Sequence, residues 1–128
     1  MDDIDKLPPL AAYQAYLKRG ELAYQFSPDE GVAVFYPRLA SPGSGRTNLE
    51  WRVSKGLGAV YAVTTVRPRD AAPYNVSIIA IDEGYRMMSR VEDVAPEDVK
   101  IGMRVRVRMH ADGKNPVYPV FVPAEDAR

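Results

Sequence analysis

The chain has 128 residues with 17 basic and 17 acidic side chains, so its formal net charge is zero and a broad basic surface for nucleic-acid phosphates is not expected. The absence of cysteine and the single histidine exclude disulfides, thiolate zinc sites, iron–sulfur clusters and a cysteine nucleophile. Neither a signal peptide nor an apolar run long enough to cross a membrane is present in this sequence, and we therefore expect a cytoplasmic protein.

The first 50 residues predict one helix and one hairpin. Apolar residues between Leu10 and Leu17 recur at a spacing of three and four, which predicts an amphipathic helix over residues 9–19. Three helical turns are marginal alone, so this face must dock on something. Alternating apolar residues on both sides of the Pro/Asp/Gly turn at 27–31 predict a hairpin, and residues 40–48 predict a loop.

From Trp51 onward the pattern is typical of short strands. Residues 60–66 have strand-forming side chains on both faces, which predicts a strand covered on both sides. Further strands are predicted over 76–81, 85–88, 103–109 and 117–122, with one helical turn over 95–98. About five short strands with a helical turn before the penultimate one favour a small closed barrel such as the OB-fold, with a small sandwich as the alternative.

The strand at 103–109 has the clearest alternation in the chain. Met103, Val105, Val107 and Met109 are expected to face inward while three arginines face outward. We predict that this quartet packs into the barrel.

Six short motifs in order resemble one known family. They lie at residues 49–51 (LEW), 55–61 (KGLGAVY), 73–76 (PYNV), 82–84 (DEG), 96–103 (PEDVKIGM) and 121–124 (FVPA). Together they resemble the acyl-CoA-associated OB-fold proteins that carry an N-terminal rubredoxin-like zinc ribbon. The resemblance covers about residues 10–124 and implies a mainly β chain: a helix and ribbon hairpin over 1–50, then a five-stranded OB-fold barrel over 51–128.

The resemblance also locates the zinc ligands of the family. Aligned backward from residues 49–51, those four positions fall on Ser27, Glu30, Ser41 and Ser44. Neutral serine is a poor zinc ligand and one carboxylate cannot hold the ion. We therefore expect a degenerate ribbon without zinc, whose melting temperature does not change when a chelator is added.

Members of this family are non-catalytic subunits that pair with thiolase-like enzymes, hydratases or aldolases acting on CoA thioesters. The resemblance thus implies an accessory subunit that binds or positions acyl-CoA, with no catalytic residue and no tightly bound cofactor of its own. The expected partners are such an enzyme and a CoA thioester; nucleic acid and membranes are not expected, and self-association is left open.

Two groups of side chains are candidates for CoA binding. Arg67 and Arg69 lie in a proline-braced loop near Tyr74, so a guanidinium there can meet a phosphate while adenine stacks on the ring. The second group is the ladder of Arg104, Arg106 and Arg108, because guanidinium groups suit phosphate oxygens. Each group has a plainer alternative, a surface loop for the first and a solvated strand face for the second, and the plainer one is favoured for both.

Other conspicuous residues are interpreted as structural. The glycines of residues 55–58 indicate a turn or bulge that enters a strand, and Trp51 a core anchor. His110 has no nucleophile or acid near it in sequence and is expected to be structural. The acidic residues around the helical turn are expected to provide solubility and capping; they are Glu92, Asp93, Glu97 and Asp98.

Two other functions are weighed against the accessory subunit. A single-stranded nucleic-acid-binding OB module is the alternative, since eight tyrosines can supply stacking, but zero net charge weakens its electrostatic part. A stand-alone enzyme is not expected, because no set of residues assigns a nucleophile, a base and oxyanion donors.

Overall fold

The computed structural model describes residues 6–35, 37–41, 43, 45, 47–113 and 116–124. Within these residues the elements in chain order are α1 (Pro9–Lys18), β1 (Ala23–Ser27), β2 (Val32–Val34), β3 (Glu50–Val53), β4 (Leu57–Val66), β5 (Tyr74–Ile81), β6 (Arg86–Ser89), a 3₁₀ turn (Pro96–Asp98), β7 (Arg104–His110) and β8 (Tyr118–Pro123). The strands form two sheets, of three and five strands. The predicted mainly β fold with one N-terminal helix is confirmed.

The chain divides into two compact units. The first, called the small unit, comprises Met1–Lys55, Glu83–Tyr85 and Met109–Tyr118. The second, called the barrel unit, comprises Gly56–Asp82, Arg86–Arg108 and Pro119–Arg128.

Helix α1 matches its predicted span, because Pro9 occupies the first turn and Gly20 ends the helix at a φ of 81°. The buried residues of the helix are Ala12, Tyr16 and Leu17. The prediction that Leu10 shares this face is wrong, since Leu10 is 60% exposed. Leu10 lies one turn beyond the part of the helix that is covered.

The three-stranded sheet has the order β2-β1-β3 and is antiparallel throughout. The predicted hairpin is confirmed, with Ser27 opposite Val32 and Gln25 opposite Val34. Strand β3 pairs with the other edge of β1, with Trp51 opposite Gln25. Trp51 therefore belongs to this sheet, although the motif pattern placed it at the start of the barrel; the predicted boundary at residue 50 itself stays a prediction.

Aromatic rings fill much of the small unit. Phe35 stacks on Tyr85 with ring centroids 4.9 Å apart, and Tyr24 lies 5.1 Å from Tyr85. Tyr13 meets the edge of Phe35, while Tyr16 lies against Trp51. This aromatic cluster gives a short sheet the buried area that aliphatic residues alone do not supply there.

The five-stranded sheet has the order β6-β5-β4-β7-β8. It closes where Val91 and Phe121 form a parallel bridge, with Phe121 N–H donating to the Arg90 carbonyl at 3.0 Å and Glu92 N–H donating to the Phe121 carbonyl at 2.7 Å. Strand order, parallel closure and the 3₁₀ turn before β7 are those of an OB-fold, as predicted.

The barrel core is aliphatic with one polar brace. Its fully buried side chains include Val60, Ile79, Val105 and Phe121. The buried Asn75 side chain donates to the Val91 carbonyl at 2.8 Å and accepts from the Val91 N–H at 2.9 Å, which fixes the closing segment. Of the predicted inward quartet, Val105 is fully buried, whereas the other three side chains are partly covered.

Candidate functional site

The loop that joins β4 to β5 contains the first group of predicted CoA-binding residues. Val66 pairs with Tyr74, so this pair closes the loop that contains Arg67 and Arg69. All three predicted side chains, Arg67, Arg69 and Tyr74, are exposed. Within the described part of the chain, neither arginine has an ion-pair partner, so both are free to meet an anion.

The second predicted group, on β7, is mostly engaged in ion pairs. Arg104 donates to both carboxylate oxygens of Asp82, at 2.9 and 2.6 Å. Arg108 donates to Asp93 at 2.7 Å and to Glu92 at 2.6 Å. Arg106 is exposed, opposite Leu57 of β4, and has no such partner among the described residues. Two of the three arginines of the ladder are therefore neutralised by carboxylates, and Arg106 is the one without such a partner among the described residues; CoA binding by the ladder stays a prediction.

These contacts shift the pKa of Asp82, Arg104 and Arg108. The hydrogen bonds from Arg104 hold the pKa of Asp82 below its usual value and raise the pKa of Arg104. Hydrogen bonding to Asp93 and then Glu92 raises the pKa of Arg108. Asp82 and Arg104 are both charged at neutral pH, so their ion pair persists there.

The two predicted groups do not form one site. Arg104 lies opposite Ala59 near the start of β4, whereas Arg67 follows the end of that strand. The intervening eight residues correspond to roughly 25 Å of strand. A single phosphate group cannot contact both.

The side of β4, β5 and β6 that faces away from the core was not singled out by the motifs. On β5, Asn75, Ser77, Ile79 and Ile81 are buried while the alternate residues are partly open. We call the second set and its cross-strand neighbours, together with Tyr61, the outer face; its members are Ala59, Tyr61, Ala62, Thr64, Val66, Tyr74, Val76, Ile78, Ala80, Arg86 and Met88. The sequence feature that indicates the outer face is the strand-forming character of both sides of β4, which predicts a strand covered on each side.

An irregular register on β4 places Tyr61 on the outer face. The pairing with β5 shifts between Val60 and Ala62, which leaves Tyr61 as the extra residue of a β-bulge. The Arg86 guanidinium lies over the Tyr61 ring, 3.8 Å from its centroid. Tyr61 and Met88 remain 49% and 62% exposed.

Three of the four predicted ligand positions meet in the small unit. The hydroxyls of Ser27 and Ser41 both donate to Oε1 of Glu30, and both serines are buried. Each serine also begins a similar turn, because Gly31 N–H donates to the Ser27 carbonyl and Gly45 N–H to the Ser41 carbonyl, both at 2.8 Å. Ser44 lies outside the described residues.

This donor set does not fit a zinc ion. It offers one carboxylate and two neutral hydroxyls, and the hydroxyls are already engaged with that carboxylate. Among the described residues, no group of three or more histidine or acidic side chains is arranged to hold a metal. The absence of zinc stays a prediction.

The residues interpreted as structural have packing roles. A side chain at Gly56 would collide with Val107, and a Cβ at Gly58 would lie 2.6 Å from the Ala80 carbonyl oxygen. These glycines thus let β4 pair closely with its neighbours. The His110 ring lies against Tyr118, with centroids 4.9 Å apart.

A shallow groove of about 520 Å³ opens on the small unit. Its apolar lining includes Leu7, Leu39 and Leu49 beside Trp51. One wall is fixed because the buried Gln25 amide bonds the backbone of Arg38 twice, each time at 2.7 Å. Arg38, Glu50 and Arg52 also line the groove, and the Arg52 guanidinium is paired with the Glu50 carboxylate at 3.1 Å.

The sequence and fold have clear relatives. The family model of the ChsH2 C-terminal OB-fold domain matches residues 51–110. A DUF35 domain-containing scaffold protein from Methanocaldococcus jannaschii is 41% identical over 96 residues, which cover 68% of this chain and 68% of the relative. The chain belongs to the DUF35 family. The predicted family is thereby confirmed.

Further similar proteins support the assignment to the DUF35 family. A DUF35 domain-containing scaffold protein from Pyrococcus furiosus is 30% identical over 84 residues, covering 62% of each chain. Among solved structures, the Ltp2-ChsH2(DUF35) aldolase matches with a TM-score of 0.79 at 23% identity, over 91% of this chain and 95% of that one. A DUF35 protein of unknown function from Sulfolobus solfataricus has a TM-score of 0.64 at 14% identity, over 88% of this chain and 82% of that one.

These two structures share the fold of this DUF35 chain. In the described part of the chain, no helix combines the length and apolarity needed to span a membrane.

Proposed function

We propose that this DUF35 chain is a non-catalytic accessory subunit that holds or positions an acyl-CoA-processing enzyme. The observation that carries the proposal is the 41% identity to a protein named as a scaffold, over 96 residues. A solved chain of the same fold is part of an aldolase named together with its DUF35 component. A thiolase-like enzyme, a hydratase or an aldolase is the proposed partner.

The charged groups of the barrel support a binding role over a catalytic one. The carboxylates of Asp82, Glu92 and Asp93 each hold an arginine. A carboxylate in such a pair is a poor general base, since the neighbouring cation stabilises its ionised form.

For the CoA thioester, the proposed contacts are Arg67, Arg69 and Tyr74. They are exposed on a loop that in OB-folds commonly binds ligands, between the first two barrel strands. Arg106 is a further available cation, whereas Arg104 and Arg108 would have to leave their ion pairs. Binding of a CoA thioester at this loop therefore does not require any existing ion pair to be broken.

The test has two arms. The tagged full-length chain is recovered from its native host and the co-purifying proteins are identified, and the chain is titrated with acetyl-CoA by calorimetry. We expect a thiolase, hydratase or aldolase in stoichiometric amount, no turnover of acetyl-CoA by the isolated chain, and binding that weakens in the Arg67→Gln/Arg69→Gln variant but not in Lys100→Gln. Recovery of no such enzyme would refute the scaffold role; turnover by the chain alone would refute its non-catalytic character.

A further inference from the structure

The outer face has an apolar centre that is open to solvent. Val76 and Ile78 of β5 lie next to Met88 of β6, and Ile78 and Met88 are directly paired. Met88 is 62% exposed, and Tyr74 at the end of the same strand face is 46% exposed. A contiguous apolar surface on a sheet is typical of a protein-binding site rather than of a solvated face.

Positive charge without a counterion lies at both ends of this centre. Arg86 at one end contacts the Tyr61 ring, and Arg67 and Arg69 follow the other end of β4. Within the described residues none of these three has a carboxylate partner. Elsewhere on the barrel Arg90, Arg104 and Arg108 are paired with acids, whereas Arg106 is a further arginine without a carboxylate partner among the described residues.

We propose that the outer face is the docking surface for the partner enzyme, and that the partner presents an apolar patch bordered by carboxylates. This proposal rests on the proposed scaffold function and adds the surface and its chemistry. Apolar contact with Ile78 and Met88 supplies the centre, while Arg86 meets an acidic group of the partner. Charge complementarity of this kind sets the orientation and the rate of association.

The same observations disfavour two other possible occupants of the outer face, a second copy of this chain and a single-stranded nucleic acid. A second copy of this chain would bring the same unpaired arginines to the interface, which repel one another. A single-stranded nucleic acid would need several open rings for stacking, but the Tyr61 ring is covered by Arg86, which leaves Tyr74 as the open ring of this face among the described residues.

The experiment compares charge substitutions on and off the outer face. Met88→Glu and Arg86→Glu are made on it, and Ile101→Glu is the matched control, since Ile101 is 71% exposed and lies in the turn before β7. The probe is the enzyme that co-purifies with the wild-type chain, and its dissociation constant is measured for each variant at two salt concentrations. All three sites are exposed or at the surface, and thermal melting checks that each variant is folded.

We expect Met88→Glu and Arg86→Glu to weaken binding at least about tenfold, as for central interface residues, and Ile101→Glu to change it less than twofold. Wild-type binding should weaken as salt rises, and less steeply in Arg86→Glu. A photo-crosslinking residue placed at position 88, but not at 101, should capture the enzyme.

If the enzyme co-purifies but binds all three variants equally, the docking surface is refuted and the scaffold function stands. If no enzyme co-purifies, both are refuted. Concentration-dependent dimerisation lost in Met88→Glu, or a gel shift of oligo(dT) lost in Arg86→Glu, would also overturn the proposal, in favour of a second copy or a nucleic acid.

Discussion

The barrel unit and the small unit are stabilised in different ways. Of the six buried polar side chains among the described residues, four lie in the small unit, namely Gln25, Ser27, Ser41 and Ser54. The barrel instead buries aliphatic residues and closes its sheet through backbone hydrogen bonds. The difference teaches that a short three-stranded sheet needs specific polar cross-links and stacked rings, whereas a closed barrel depends chiefly on apolar burial.

The largest loss of stability is expected from a substitution at the point where the barrel closes. Phe121 is fully buried and its backbone forms the parallel bridge to Val91, so Phe121→Ala removes a large side chain there. We expect a loss of about 3–5 kcal/mol in the free energy of unfolding, and a smaller loss of about 1 kcal/mol for Phe121→Leu. Urea unfolding followed by circular dichroism measures both. Equal losses for the two variants would mean that this position tolerates a cavity.

The next effect is expected in the small unit. Glu30→Ala leaves the hydroxyls of Ser27 and Ser41 without their shared acceptor, and we expect a loss of about 1–2 kcal/mol. Trp51 is the single tryptophan and belongs to this unit, so its fluorescence reports unfolding there.

Two controls accompany the Glu30 measurement. Glu30→Gln keeps an amide oxygen as acceptor and should lose less, whereas the exposed Glu97→Ala should be neutral. Addition of a chelator should not change the Trp51 transition of the wild-type chain, and metal analysis should find no stoichiometric zinc. A chelator-sensitive transition would contradict the hydrogen-bonded arrangement at these positions.

The two units also differ in how much of their structure the sequence predicts. The alternation at residues 103–109 gave β7 with the correct inward side, because a period of two is a local property. The ion pair of Arg104 with Asp82 joins residues 22 apart, so no spacing rule could find it. Likewise, the bulge at Tyr61 and the stacking of Arg86 on it depend on the register between strands, which the pattern does not fix.

In the small unit the resemblance located the positions but not their bonds. It placed Ser27, Glu30 and Ser41 at equivalent points of two turns, and the structure brings these three together. That one carboxylate accepts from both hydroxyls depends on side-chain geometry, which an alignment of motifs does not contain. The pairing of β3 with β1 is also non-local, so the sequence pattern does not show that Trp51 lies opposite Gln25.

A stabilising substitution is expected at Tyr85. Its hydroxyl is buried and makes no hydrogen bond of good geometry within the described residues, although the Ser54 side chain is close enough to oppose the rise of its pKa. Tyr85→Phe removes this uncompensated group while keeping the ring that stacks on Phe35, so we expect a gain of about 1 kcal/mol at pH 7. A loss instead would indicate that the hydroxyl is bonded by water.

Tyr85 also gives the small unit an alkaline pH dependence. Burial raises the pKa of Tyr85 above its usual 10.0, with the Ser54 side chain opposing the shift. The folded state therefore keeps a proton that the unfolded state releases above about pH 10, and stability falls as the pH rises through that range. Tyr85→Phe should remove this part of the loss, measured as the difference between the two proteins in Trp51 unfolding at pH 9 and pH 11.

The smallest effect on stability is expected in the barrel unit, at the exposed ion pair of Arg104 and Asp82. Because the hydrogen bonds from Arg104 lower the pKa of Asp82 below 3.8, the pair contributes above that pH and its contribution is lost as the pH falls through the lowered value. Both side chains are more than a third exposed, so solvent screening limits the cost of Asp82→Asn to about 0.5 kcal/mol at pH 7. The difference from wild type should shrink as the pH falls below 3.8, and it should also shrink in high salt. A cost above that of Glu30→Ala would reverse the ranking, because the barrel would then depend on a polar cross-link more than the small unit does.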